Sequence, residues 1–196
     1  PSQTLLEQRM VGSIGSVVTP MIEGSRSLLI EIQALTSRSS LPVPRRTANG
    51  VDYNRMMMII AVLGRRTRLG LSNQDIIANI TGGVRTMEPG VDLALALSIA
   101  SSLLNRPVKT GLVAIGEVGL SGELRSATQM DRRLAESARL GFSTCVLPPS
   151  SKGHFTETFG LDVSYVSTLA QAIHVSLGDT VKDETNVERY IPVSTD

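Results

Sequence analysis

The chain has 196 residues, of which 41% are apolar, and this suits one domain with a real core, or one domain with a tail. Aromatic residues make up only 3% and tryptophan is absent, which disfavours a protein that stacks single-stranded bases on aromatic side chains. The formal net charge is +1, so no global field attracts nucleic acid, and such binding would need a local basic patch.

The first part of the chain is predicted to form two strands, a loop and a helix. Residues 12–37 are β-rich and are divided by the turn formers Glu23-Gly24-Ser25, which predicts two strands around a turn. Residues 36–50, with two prolines, several serines and a basic pair, are predicted to be a loop. Asp52 can cap the helix that follows, and Gly70 can end it. The apolar residues that share one face of this helix are Met56, Ile59, Ile60 and Leu63.

The second part of the chain alternates strands with helices. Residues 88–105 are apolar nearly all round, which predicts a central, buried helix. Around it, the predicted order is a strand in 75–83, a strand, a glycine-rich turn and a short strand in 110–125, a helix in 131–142, a strand in 143–149, and a strand and closing helix in 162–177. This alternation after an antiparallel start predicts an α/β fold (α+β-like), in which helices cover a mixed sheet.

The chain divides into three predicted parts. Residues 1–11, "PSQTLLEQRMV", lack an initiator methionine and the apolar core of a signal peptide, so they are predicted to be a junction from an upstream domain. Residues 12–178 form the domain, and the polar residues 179–196 are predicted to be a loosely held tail. No apolar run reaches transmembrane length.

Neither a disulfide nor a metal site is predicted. Cys145 is the single cysteine, and its place in "STCVLPP" indicates a thiol packed in a buried strand. His154 and His174 share no ligand spacing with each other or with the cysteine.

The opening of the central helix raises a functional question. Helix openings of this kind often present a nucleophile or bind an anion, yet "MEPGVD" places Gly90 at the candidate position. The order of pieces resembles the Lon-type protease domain, most strongly over residues 76–149 and more weakly from about residue 12. "MEPGVD" lies where that family has the nucleophile segment "DGPSAG", and "GEVGLSGELR" (116–125) matches its later signature "GEITLRG". The resemblance implies a fold like that of the Lon proteolytic domain.

The catalytic pair of that family does not carry over. Position by position, the nucleophilic serine falls on Gly90 and the catalytic lysine falls on Asp131. Glycine cannot attack, and a carboxylate cannot act as the neutral amine base. Ser98 lies two turns further along the helix, and Arg132 is too basic to substitute, as is Arg133. We therefore predict no peptidase activity, a close-packing role for Gly90, and a capping box between Thr128 and Asp131.

One branch that has lost the dyad is the C-terminal domain of the RadA (Sms) family of RecA-related DNA repair and recombination motors. Residues 42–83 resemble its linking segment and first helix, and "PSQTLLEQR" resembles the junction after its ATPase core. The resemblance implies a hexameric ring, double-stranded DNA and the homologous recombination machinery as partners, and the bacterial cytoplasm or, alternatively, an organelle. It implies ATP, Mg and Zn only in upstream domains of a DNA-dependent ATPase, and the chain has no "GxxxxGK[ST]" phosphate-binding loop.

Three interpretations follow. The favoured one is a non-catalytic Lon-like domain that serves hexamer assembly and sequence-independent duplex binding through arginines, which bind phosphates bidentately. The predicted DNA-binding residues are Arg45, Arg46, Arg65, Arg66, Arg68, Arg132 and Arg133. The alternatives are a purely structural oligomerisation domain without DNA contact, and an active Ser-Lys peptidase, which would need a serine at position 90 and a lysine at position 131.

Overall fold

The computed structural model describes residues 2–7 and 9–179, and the predicted tail lies outside these residues from 180 onward. The helices are α1 (Ser2–Leu6), α2 (Tyr53–Thr67), α3 (Asp92–Leu104), α4 (Met130–Arg139) and α5 (Leu169–Ser176). The strands are β1 (Ser16–Glu23), β2 (Arg26–Arg38), β3 (Arg46–Asn49), β4 (Gln74–Ile80), β5 (Leu112–Ala114), β6 (Glu117–Val118), β7 (Leu124–Arg125), β8 (Thr144–Leu147) and β9 (Asp162–Tyr165). Short 3-10 turns occupy Thr81–Gly83, Pro89–Val91 and Pro149–Ser151.

A mixed central sheet organises the described residues, as predicted. Seven strands lie in the order β3-β4-β2-β1-β5-β8-β9, while β6 and β7 form a separate two-stranded hairpin. The β1–β2 hairpin is antiparallel, closes with Glu23 opposite Arg26, and has β4 antiparallel on its other side. The remaining pairings are parallel, so most of the sheet is parallel. Parallel strands need crossover connections, and here these contain α2, α3 and α4, except for the β8–β9 connection, which contains only the 3-10 turn Pro149–Ser151.

Helices cover both faces of the sheet, because successive strand residues point in opposite directions. Val17 packs into a larger core cluster with residues of α2, α3 and α5. Its neighbour Val18 packs into a second cluster with Met130 and Leu134 of α4. Cys145 lies in this second cluster and is fully buried, as predicted, and burial raises the pKa of its thiol.

Helix α3 is the centre of the larger cluster, which confirms the prediction of a buried helix. Its residues from Asp92 to Ser101 are all buried, and it packs on β1 and β2. The buried Ser101 hydroxyl is bonded on two sides, accepting from Gly15 N at 2.8 Å and donating to Arg106 O at 2.6 Å. A helix that is apolar on every side fits only where it is covered on every side.

Two local predictions were wrong. Arg46–Asn49 is not loop but the edge strand β3, parallel to β4. Three of its four side chains are polar, and Ala48 alone packs against the core, so mainly the pairing with β4 defines the strand. Helix α2 ends at Thr67 rather than at Gly70, because Arg68 adopts the left-handed conformation (φ 60°) that terminates the helix. Its predicted start is confirmed, since the Asp52 carboxylate accepts from Arg55 N at 2.8 Å.

Candidate functional site

The opening of α3 is closely packed around Gly90. The glycine is buried, and a Cβ built on it would lie 3.0 Å from Ala127 Cβ and 3.0 Å from a Glu88 carboxylate oxygen. The same Cβ would lie 3.3 Å from a guanidinium nitrogen of Arg133. These distances are tighter than ordinary van der Waals contact, which agrees with the predicted close-packing role of Gly90.

A buried guanidinium lies beside Gly90. Arg133 is 0% exposed; its Nη1 donates to Pro20 O and its Nε to Thr128 O, both at 2.7 Å. It also forms an ion pair with Glu88, whose second carboxylate oxygen accepts from Ile22 N at 2.9 Å. Burial lowers the pKa of Arg133 to about 10, so the side chain stays charged at neutral pH.

Arg133 is therefore removed from the set of predicted DNA contacts. A phosphate cannot reach a fully buried guanidinium whose donors already bind carbonyl groups and a carboxylate. The amphipathic period of α4 explains the difference from Arg132, because Arg132 is exposed while Arg133 points inward with Met130 and Leu134.

Asp131 makes a different contact from the predicted one. The residue before α4 is Gln129 in a left-handed conformation (φ 56°), with no side-chain cap, so the Thr128–Asp131 capping box was wrong. The Asp131 carboxylate instead accepts from Thr156 N at 2.7 Å and from the Thr156 hydroxyl at 2.9 Å. These bonds lower the pKa of Asp131, so they are complete at neutral pH and are lost only below the ordinary carboxyl range. Asp131 thus ties the β8–β9 connection to α4.

A second ion pair joins the first turn of α3 to α2, and sequence reasoning missed it. Arg55 Nε donates to Asp92 at 2.8 Å, and a second bond completes a bidentate pair. The carboxylate also accepts from Val118 N at 3.2 Å. Burial raises the pKa of Asp92, and the hydrogen bonds from Arg55 oppose that shift. The sequence held one signal for this ion pair: Asp92 is a lone acidic residue at the start of an otherwise apolar helix, and a buried carboxylate needs a partner.

Five of the predicted arginines surround the connection between α2 and β4. Arg65, Arg66 and Arg68 are exposed at the C-terminal end of α2. Arg46 Nη2 donates to Leu71 O at 3.0 Å, within that connection, and Arg65 lines a shallow groove that also includes Leu71. The side chain of Arg45 is 73% exposed and lies 3.8 Å from Asp75. We call Arg45, Arg46, Arg65, Arg66 and Arg68 the α2 arginine patch.

Arg132 lies apart from this patch, on the other face of the sheet with α4. It donates to Ser25 O at 2.8 Å and to the Gln129 side chain at 2.9 Å. It lines a surface groove of about 520 Å³ with Arg26 and Arg139, at the β1–β2 turn. Arg139 is already paired with Glu136 through two bonds of 2.8 Å. Sequence reasoning missed Arg26, because only the hairpin places it next to α4.

Residues 2–7 and 9–179 contain neither a metal-binding cluster nor a membrane-spanning helix. In that part of the chain, no group of three or more His, Cys, Asp or Glu side chains could hold a metal ion. No helix there is long and apolar enough to cross a membrane.

One family model and several known proteins match this chain. The family model described as subunit ChlI of Mg-chelatase matches residues 54–151, half of the chain. The protein named DNA repair protein RadA from Bacillus subtilis (strain 168) is 43% identical over 178 residues, and that from Halalkalibacterium halodurans is 44% identical over 178 residues. RadA from Listeria monocytogenes is 40% identical over 179 residues. Each match covers 91% of this chain but 39% of the relative, so the chain spans about two-fifths of their length.

Proposed function

The chain belongs to the protein family described as subunit ChlI of Mg-chelatase, and from this and its likeness to DNA repair proteins named RadA we propose that it is the non-catalytic domain of a DNA repair and recombination protein. In this proposal the domain binds double-stranded DNA without sequence preference and takes part in assembly of a hexameric ring. ATP hydrolysis, with its Mg and the Zn site, belongs to parts of the protein outside this chain. The protein acts in the bacterial cytoplasm.

We propose further that the domain has the Lon-type proteolytic fold without its dyad. The support is the opening of α3, where Gly90 supplies no hydroxyl and Arg133 is ion-paired to Glu88. Asp131, at the position of the lysine base, is a carboxylate already bonded to Thr156. Acyl transfer needs a nucleophile beside a base that can take its proton. The residues at these two positions supply neither.

The observation that carries DNA binding is the α2 arginine patch. On a chain with net charge +1, five arginines around one connection concentrate positive charge that the whole molecule lacks. Arg65, Arg66 and Arg68 are exposed. Contacts of this kind position a phosphate backbone but do not identify bases, which supports sequence-independent binding. The scarcity of aromatic side chains favours duplex over single-stranded DNA.

Salt dependence tests this function directly. We expect the chain to bind a duplex weakly at low salt, with the logarithm of affinity falling linearly with the logarithm of salt concentration, because binding releases condensed counterions. The slope should be roughly −0.9 for each phosphate contacted. Fluorescence anisotropy of two labelled duplexes of unrelated sequence measures both affinity and sequence preference. Absence of binding at low salt would leave the purely structural oligomerisation domain as the better interpretation.

Assembly is tested by sedimentation over a range of protein concentrations. We expect the isolated chain to self-associate weakly, because contacts in a ring of longer proteins are shared with their other domains. DNA contacts from several subunits would then add by avidity, so that association and duplex affinity rise together. If both this chain and the longer protein sediment as monomers at every concentration, the proposed ring assembly is wrong.

A further inference from the structure

One large apolar side chain projects from the tip of the β6–β7 hairpin. Leu120 is 70% exposed, and it lies in the short turn Gly119-Leu120-Ser121-Gly122 that joins the two strands. An exposed leucine on its own is unremarkable on a protein surface. This one differs because of how firmly it is held and because of what lies beside it.

The tip of the hairpin is held by hydrogen bonds from several backbone N–H groups. Gly119 N donates to Glu123 O and Gly122 N to Gly119 O, both at 2.9 Å, and Ser121 N donates to the Glu123 carboxylate at 2.9 Å. Gly122 O accepts from Leu169 N at 2.9 Å, which anchors the tip to the start of α5. The backbone of Leu120 is therefore held in place, which lowers the conformational entropy lost on binding to that of the side chain.

The hairpin tip also packs directly against the α2 arginine patch. Gly122 has φ +80°, and a Cβ built on it would lie 3.1 Å from Arg66 Cβ, so only glycine allows this approach. Arg66 Nε donates to Leu120 O at 3.2 Å. On the hairpin itself, the Arg125 side chain is 65% exposed but lies 3.2 Å from the Glu123 carboxylate, so among the described residues Arg66 is the cation nearest the tip whose charge faces no such pair there. An apolar tip with a cation bonded to its own carbonyl is poorly suited to an apolar protein pocket, because the guanidinium would lose its water there.

An exposed leucine beside an arginine is well suited to a groove of double-stranded DNA. Architectural proteins insert Leu, Ile, Met or Phe between base steps of the minor groove, while arginines hold the adjacent phosphates. Resting on the DNA binding proposed above, we propose that Leu120 is an apolar wedge that enters the minor groove of double-stranded DNA, with Arg66 and its neighbours of the α2 arginine patch on the flanking phosphates. This insertion partly unstacks one base step. It reads no sequence, since every base step offers an apolar surface between its bases.

The test pairs Leu120→Ala with Met10→Ala as the control. Met10 is 74% exposed, and its neighbour Arg9 is engaged with Glu31 rather than free for phosphate. A duplex containing 2-aminopurine reports unstacking as increased fluorescence, and anisotropy reports affinity. We expect the wild-type chain and Met10→Ala to increase the fluorescence equally. Leu120→Ala should abolish the increase and weaken binding by roughly threefold or more, because the unstacking cost that the variant avoids offsets only part of the lost burial of the leucine side chain.

The possible outcomes separate the wedge from the function on which it rests. If the wild-type chain binds duplex but Leu120→Ala matches it in affinity and fluorescence, the wedge is wrong and DNA binding stands. If the wild-type chain does not bind duplex at all, the proposed function fails and the wedge fails with it. If Leu120→Ala instead abolishes self-association in the absence of DNA, the hairpin contacts a second copy of the chain, and the wedge is overturned. Melting curves by circular dichroism confirm that each variant is folded.

Discussion

Replacing Arg65, Arg66 and Arg68 together by alanine is expected to weaken duplex binding by on the order of tenfold at low salt, equally for all sequences. The three side chains are exposed at the end of α2, whereas Arg45, which is also exposed, lies 3.8 Å from Asp75. The salt dependence should also become less steep, by roughly 0.9 for every phosphate that the variant no longer neutralises. Anisotropy titrations at several salt concentrations measure both quantities for the variant and the wild-type chain.

A second triple variant tests whether duplex binding depends on the α2 arginine patch or only on the net charge of the chain. Arg85, Lys109 and Lys152 are also exposed, and replacing them by alanine removes the same three charges from other places on the surface. We expect this control to bind nearly as tightly as the wild-type chain. Equal weakening in both triple variants would mean that only net charge matters. Unchanged binding in the first triple variant would place DNA contact elsewhere in the protein, in favour of a structural oligomerisation domain.

Replacing Arg133 by methionine is expected to be the most destabilising single change at the candidate site. Methionine matches only the aliphatic part of the arginine side chain, and it leaves the Glu88 carboxylate beside Gly90 without its cation. Breaking one partner of a fully buried ion pair costs about 3–5 kcal/mol, and the cost here should lie at the lower end, because the Glu88 side chain that remains is 20% exposed. Urea denaturation should therefore show a lower midpoint with an unchanged slope, the signature of reduced stability without a change in compactness.

Two further variants test whether loss of the Arg133–Glu88 ion pair causes the reduced stability. Arg139→Met removes an arginine of the same helix whose side chain is 59% exposed, whereas that of Arg133 is 0% exposed, and we expect its midpoint to lie close to that of wild type, because an ion pair with an exposed member contributes little. Adding Glu88→Leu to Arg133→Met removes the stranded carboxylate and should recover part of the stability. If Arg133→Met unfolds at the wild-type midpoint, the buried pair does not stabilise the opening of α3.

Local patterns predicted most of the secondary structure. Turn residues between two β-rich runs indicated the β1–β2 hairpin, and a continuous apolar stretch indicated the buried helix α3, because both signals depend on neighbours along the chain. The strand β3 was missed for the opposite reason. Its four residues, Arg46–Asn49, carry no apolar alternation, and only hydrogen bonds from β4 make them a strand.

For the candidate site, too, some features follow from the sequence alone and others only from the tertiary structure. The sequence by itself determined that position 90 has no side chain, that position 131 is a carboxylate, and that the arginines come in clusters, since these are facts of composition and spacing. Only the tertiary structure decided which charges meet. It paired Arg133 with Glu88 and Arg55 with Asp92, and it turned Asp131 towards Thr156. The physical reason is that an arginine's partner is set by burial and by distance in space, and residues far apart in sequence come together only when the sheet and helices pack.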